Sequence, residues 1–172
     1  KLTTIPIILF PGDFSQISNT ADALLFLSLI SGRNPEYLIG QQVKSVNKLK
    51  ETSLEIIPTG YILIDGGVKT SVQKVSNTTP ISQSNMEDIT MTAMAGELMG
   101  KQLIYLEAGS GATKAVSQEI IKKVSENISI PLIVGGGIRS KKQLENAYQN
   151  GADMIVIGTA FEKNNNILTS IL

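Results

Sequence analysis

The sequence predicts an α/β protein of the TIM, or (β/α)8, barrel class, in a modified form that lacks about the first two βα units. Two observations carry this. Six apolar runs of strand length recur along the chain, with helical patterns between most of them. The runs are near-continuously apolar rather than alternating, as in parallel strands covered on both faces. Glycine turns then follow the last two runs, at Gly135-Gly136-Gly137 and at Gly158. A (β/α)8 barrel builds its phosphate site from the loops after its last two strands. An open doubly wound sheet places its glycine-rich turn after the first strand instead. Six units are two short of closure, so about two are expected before Lys1, where the chain starts without Met and almost directly in a strand.

Each element has its own signal. Ile5–Phe10 is a short apolar run ended by Pro11-Gly12. Ala23–Ile30 is a second, ended by Ser31-Gly32. Asn34-Pro35 then starts a helix as cap and first residue, with Tyr37, Leu38, Val43, Val46 and Leu49 at roughly 3.6 spacing. Ile56–Ile64 holds the next strand, with Pro58 and Gly60 expected to make it irregular, and stops at Asp65-Gly66-Gly67. Asn85 is placed to cap a helix carrying Ile89, Met91, Met94, Leu98 and Met99, which Gly100 stops. Leu103–Glu107 is a strand. Ser117 caps a helix through Ile120, Ile121 and Val124. Leu132–Val134 leads into the glycine triplet. Ser140 caps a helix through Leu144, Ala147 and Tyr148, stopped at Gly151. Met154–Ile157 is the last strand. No linker or charge run divides the 172 residues, which read as a single domain, 1–172.

Composition narrows the chemistry. Lys plus Arg and Asp plus Glu are each 15, so net charge is zero and no nucleic-acid partner is indicated. There is no Cys and no His, which removes disulfides, thiolate or imidazole metal ligands, Cys nucleophiles and His general bases. Carboxylates, Tyr, Lys, Arg, hydroxyls, backbone amides and an oxygen-ligated metal such as Mg²⁺ remain. No signal peptide is visible. The longest apolar stretch, Ala21–Ile30, is too short to span a bilayer, so a cytoplasmic location is expected.

Active sites of such barrels lie at the C-terminal strand ends. Tyr105 and Glu107 are two apart on one strand and share a face. If that face is the lumen, both reach the same ligand. Glu107 can accept hydrogen bonds from a polyol or take a proton from an attacking hydroxyl, and Tyr105 can donate to the same ligand. Ser110 and the Gly111 amide join Gly136, Gly137, Gly158 and Thr159 in a phosphate cradle, since glycine lets amides approach an anion closely. Asp65 reads as a turn residue and Asp13 as a cap for the Phe14 segment. Arg139 either contacts phosphate or forms a surface pair. Met91, Met94 and Met99 read as core.

At this point the chain resembles the geranylgeranylglyceryl phosphate synthase family. The resemblance rests on Tyr105-Leu106-Glu107-Ala108-Gly109-Ser110-Gly111-Ala112, on Val134 to Ser140 and on Gly158-Thr159. Further matches are Ile8 to Gly12, Leu25 to Pro35, Pro58 to Gly67 and Ser76-Asn77-Thr78. It covers almost the whole chain, in order. It implies a modified (β/α)8 barrel that joins a prenyl diphosphate to sn-glycerol 1-phosphate through an ether bond, with Mg²⁺. The glycerol phosphate segment would be Tyr105, Leu106, Glu107, Ala108, Gly109, Ser110 and Gly111, with Glu107 as the proton acceptor, and the phosphate turns Gly136, Gly137, Gly158 and Thr159. Thr159 stands where many members have Asn, a change that a backbone contact tolerates.

Family members begin with a strand ending in an acidic, lysine-containing motif. That motif, with a hydroxyl residue on the next strand, holds Mg²⁺ and diphosphate. Neither is present in these 172 residues, so the metal ligands are expected upstream of Lys1 and the 172-residue chain alone is expected to be inactive. The resemblance also implies a homodimer or homohexamer, and peripheral membrane contact for product release. Three rivals stand beside it: a heptaprenylglyceryl phosphate synthase, a phosphosugar isomerase or aldolase barrel, and a non-catalytic phosphate-binding remnant.

Overall fold

A computed structural model describes residues 3–163. Six strands, β1 (Ile8–Leu9), β2 (Ala23–Leu29), β3 (Glu55–Leu63), β4 (Leu103–Glu107), β5 (Leu132–Gly135) and β6 (Met154–Val156), form one sheet. Their spatial order is their sequence order, and every pairing is parallel. This is the curved wall of a (β/α)8 barrel, six strands of it, as expected. The strands are flanked by α1 (Gln41–Lys50), α2 (Ser71–Ser76), α3 (Met86–Leu98), α4 (Gln118–Ser125), α5 (Lys141–Gln149) and α6 (Thr159–Lys163).

The strand period of two divides the core. Ile62, Ile64, Ile104, Leu106, Leu132 and Val134 face outward and pack, with Ile89, Ile120 and Val124 of the helices, into the larger core. Leu25, Leu29, Tyr61, Leu63, Leu103, Tyr105 and Ile133 form the inner cluster. β3 runs unbroken through Pro58 and Gly60, contrary to the expected irregularity. The Pro58 carbonyl accepts from Gln102 N at 2.8 Å. A strand residue's N–H points to the same side as its C=O, and pairing on that side starts only at Thr59 opposite Leu103. The missing N–H therefore deletes no rung of the ladder. A Cβ on Gly60 would stand 2.8 Å from Ile30 Cδ1 and 2.9 Å from Ile104 Cδ1, so close packing, not a bend, requires glycine there.

Two helical faces differ from expectation. Val43 is 65% and Val46 42% exposed, whereas Gln42 and Ser45 are buried. Residues Glu36–Gly40 form a π-helical turn ahead of α1. The wider turn carries an extra residue and breaks the 3.6 phase between Tyr37-Leu38 and Val43-Val46. The inward positions then fall to Gln42, whose amide donates to the Leu27 carbonyl, and Ser45, which donates to Gln42 O at 2.7 Å. On α3, Met91 and Met99 are exposed and Met94 is half-buried, so the methionines are not core. That helix buries its small residues, Ala93 and Gly96, with Ile89 and Thr90. Asn85 precedes α3 without a capping bond from its side chain. Ser117 and Ser140 cap as expected, accepting from Ile120 N and Gln143 N. Helix α2, capped by Thr70, had no signal in the apolar pattern.

Between β1 and β2 the chain has only a 3-10 turn, Phe14–Gln16, where a barrel ordinarily has a crossover helix. Asp13 caps that turn, accepting from Ser15 N at 2.7 Å. β1 pairs β2 only at Ala23 and Leu24, so the wall is open along the rest of β2. An apolar groove fills this opening, lined by Phe14 and Ile17, by Leu25, Leu27 and Leu29, and by Tyr37 and Tyr61. No helix among the described residues is long and apolar enough to cross a membrane.

Candidate active site

Glu107 ends β4 on the inner face. The register sets Leu63 on one side of it and Gly135 on the other. Its carboxylate is buried, at 7% exposure. Oε2 accepts from the Tyr105 hydroxyl, and Oε1 accepts from Gly109 N at 2.6 Å. Burial pushes the Glu107 carboxyl pKa up, while the Tyr105 and Gly109 donors pull against that shift. Tyr105 is fully buried and stays a phenol, its pKa raised by burial first and by the adjacent carboxylate second. Burial and the same carboxylate also raise Tyr61. The shared strand face therefore yields one connected group, a buried carboxylate held by a neutral phenol and a backbone amide.

Glycines close around this group. A Cβ on Gly136 would lie 2.6 Å from Gly109 N and 2.7 Å from Glu107 Oε1. Gly135, which the sequence marked only as part of a turn, has its Cβ direction filled by the Tyr105 hydroxyl and Glu107 Oε2. Its requirement follows from the register beside Glu107, which a sequence does not display. Gly109, Gly111, Gly136 and Gly137 all have positive φ, between 76° and 100°, where a side chain costs about 1–2 kcal/mol. Ser110 Oγ and Thr159 Oγ1 are 2.9 Å apart. That contact ties the loop after β4 to the start of α6.

One glycine-lined cavity collects Tyr105, Glu107, Gly109, Ser110, Gly111, Gly136, Gly137, Gly158 and Thr159, with Thr70 and Arg139. Leu106 and Ala108 belong instead to the outward core, so their side chains face away from it. Arg139 pairs with no carboxylate among the described residues. Its guanidinium donates to Ala112 O at 2.5 Å and Gly111 O at 3.4 Å, holding the glycine loop at the cavity rim. Asp65 is a turn residue, accepting from Gly67 N at 2.9 Å.

The glycine-lined cavity and the apolar groove meet. Phe10, Tyr61 and Val72 line both. The Phe10 ring lies 5.3 Å from that of Tyr105 and 6.2 Å from that of Tyr61, and the two tyrosine rings are 5.3 Å apart. Neither Phe10 nor Tyr61 was singled out for chemistry by the sequence, because an aromatic in an apolar run reads as core.

No group of three or more acidic side chains positioned to hold a metal occurs among the described residues. Both Glu107 oxygens are engaged by protein donors, and Asp13 Oδ1 accepts from Ser15. No cage of acidic side chains for Mg²⁺ is therefore gathered among the described residues.

The chain is similar to known proteins. A geranylgeranylglyceryl phosphate synthase of Zunongwangia profunda is 60% identical over 160 residues, 93% of this chain and 68% of that protein. One from Thermococcus gammatolerans is 44% identical, over 94% of this chain and 63% of that protein. The crystal structure of (S)-3-O-geranylgeranylglyceryl phosphate synthase from Thermoplasma acidophilum, in complex with sn-glycerol-1-phosphate, matches with a TM-score of 0.91 at 36% identity. That match covers 98% of this chain and 68% of the other. The chain thus spans about two thirds of the length of such relatives. The model of the PcrB family matches residues 1–172, and the chain belongs to that family.

Proposed function

We propose that the complete protein is a prenyltransferase that joins geranylgeranyl diphosphate to sn-glycerol 1-phosphate through an ether bond and releases diphosphate. The observation that carries this is the meeting of a glycine-lined cavity around Glu107 with an apolar groove, through Phe10, Tyr61 and Val72. The two compartments suit the two substrates. Glycerol phosphate is a small polyol with an anion, and the cavity offers a carboxylate for hydroxyls and free backbone for phosphate. A prenyl chain is apolar and long, and the groove breaches the barrel wall where the crossover helix is missing. The names of the relatives, and the glycerol phosphate bound in the Thermoplasma acidophilum structure, support the same reading.

In this reading the Glu107 carboxylate takes the proton of the glycerol hydroxyl as that oxygen bonds the allylic C1 and diphosphate departs. The Tyr105 hydroxyl fixes the orientation of the carboxylate. The amides of Gly111, Gly136, Gly137 and Gly158, with Ser110 and Thr159, hold the phosphate. Mg²⁺ would counter the diphosphate charge, and its ligands would come from a segment upstream of Lys1, as the family resemblance implies. A homodimer or homohexamer, a cytoplasmic location and peripheral membrane contact at product release accompany the proposal. An isomerase or aldolase reading has no use for the apolar groove.

The test incubates the complete gene product with radiolabelled sn-glycerol 1-phosphate and prenyl diphosphates of graded length, with Mg²⁺ or with chelator. Ether-linked product, best with the geranylgeranyl chain, is expected. Absence of product with every chain rejects the proposal, and a heptaprenyl optimum shifts it to that relative.

Gly158→Ala isolates the phosphate contact. A Cβ at Gly158 meets no atom of the described residues within 4 Å, and its φ is not positive. The methyl therefore clashes with none of them and projects toward a ligand. The expected outcome is a KM for glycerol phosphate raised about tenfold, equivalent to about 1.4 kcal/mol, with the melting temperature unchanged. An unchanged KM removes Gly158 from the phosphate site.

A further inference from the structure

We infer that Phe10 is the partition that keeps water from the reacting carbon, and so decides which nucleophile the prenyl group meets. The inference rests on the prenyltransferase reading above and assigns a residue that this reading leaves idle.

Phe10 follows β1, yet its ring packs on Tyr61 of β3 and Tyr105 of β4. With the sheet in simple order, the side chain must reach across the inside of the barrel wall to do so. It thereby lies where groove and cavity join. The other two residues common to both, Tyr61 and Val72, also present apolar surface there. Phe10 is 47% exposed. The backbone that carries it is tied down. Gly12 N donates to Gln16 Oε1 at 2.6 Å, and Phe14 N donates to Gln41 Oε1 at 3.2 Å.

The chemistry makes such a partition necessary. As the C1–oxygen bond to diphosphate breaks, the electron pair leaves with diphosphate and C1 becomes electron-poor. The glycerol hydroxyl oxygen can then bond C1, its proton passing to Glu107, to give the ether. A water molecule reaching C1 forms the same kind of bond and gives prenol plus diphosphate. An allylic centre does not choose between these oxygens, so the protein must exclude one. Beneath Phe10, Tyr105 and Glu107 are buried. The ring stands where the groove meets their cavity.

The experiment measures prenol and ether together, for the complete gene product at saturating glycerol phosphate with geranylgeranyl diphosphate and Mg²⁺. Phe10→Ala is expected to raise the prenol-to-ether ratio about tenfold, which corresponds to about 1.4 kcal/mol between the competing barriers. Phe10→Leu is expected to fall between, and Phe10→Tyr to stay near wild type. The KM for glycerol phosphate is expected to change less than the product ratio, because the ring's aromatic partners are Tyr61 and Tyr105. A second arm needs only the milder variant. It supplies a glycerol phosphate analogue in which hydrogen replaces the attacking hydroxyl, and Phe10→Leu should release more prenol than wild type. Equal prenol-to-ether ratios in wild type, Phe10→Leu and Phe10→Ala overturn the inference while the prenyltransferase reading stands. A wild type that forms no ether with any prenyl diphosphate overturns both.

Discussion

Glu107→Gln lowers kcat for ether formation by about 10²–10⁴-fold, the range that one positioned general base supplies. The substitution keeps the shape and an acceptor oxygen for Gly109 N–H, so the expected loss is in turnover rather than in folding. The wild-type pH profile adds a second signature. Burial places the Glu107 carboxyl pKa above its ordinary value of 4.5, so the base fills with protons earlier on acidification than an exposed glutamate. The acid limb of kcat/KM therefore lies above pH 4.5 and is absent from the residual activity of the variant. Stability moves the opposite way. A carboxyl whose folded pKa exceeds its unfolded one binds its proton more tightly when folded. Its contribution is fully present below the unfolded pKa and is lost as pH rises through the folded value. Glu107→Gln removes that slope, so wild type loses stability relative to the variant as pH rises out of the acid range. Thermal melts of both proteins across pH check this. Full turnover in Glu107→Gln removes the residue from proton transfer.

Much of this site was readable before any coordinates, and the reason is local. Tyr105 and Glu107 are two residues apart in a strand, and a period of two needs no tertiary information to place them on one face. Glycine turns after the last two strands are equally local, since positive φ at Gly136 and Gly137 is a property of the backbone itself. What the sequence hid depended on distance. Phe10 reaches Tyr61 and Tyr105 from a strand that pairs with neither. The apolar groove exists because a helix is missing between β1 and β2, and a missing helix leaves only a polar connection to read. Gln42 and Ser45 turned inward because a π turn shifted the phase of α1, and one inserted residue leaves no mark on composition. The α3 methionines show the same limit from the other side. Helical spacing defines a face, but only neighbouring elements decide whether that face is covered.

The second large effect is expected at Gly136→Ala, and Gly111→Ala is its control. Both glycines have left-handed φ, +83° and +77°, so both variants pay about 1–2 kcal/mol of backbone strain. They differ in what the methyl meets. At Gly111 no atom of the described residues lies within 4 Å. At Gly136 the methyl would stand 2.6 Å from Gly109 N, 2.7 Å from Glu107 Oε1 and 3.0 Å from the Ala108 carbonyl carbon. Two of these are backbone atoms, and the third is a carboxylate held from both sides. None is the free end of a flexible chain that can swing away. The methyl also wedges between a donor and its acceptor, because Gly109 N–H bonds Glu107 Oε1 at 2.6 Å. A hydrogen bond to a charged group is worth about 1.5–3 kcal/mol, so Gly136→Ala should lose about 2.5–5 kcal/mol in all, against about 1–2 for Gly111→Ala. The lost donor has a chemical consequence that strain alone lacks. Gly109 N–H lowers the Glu107 pKa, so without it the carboxyl rises further and the acid limb of kcat/KM moves to higher pH. Urea melts measure the first difference and pH–rate profiles the second. If the two variants lose equal stability and share one pH profile, Gly136 serves the turn alone and the coupling between the glycine loop and Glu107 is wrong.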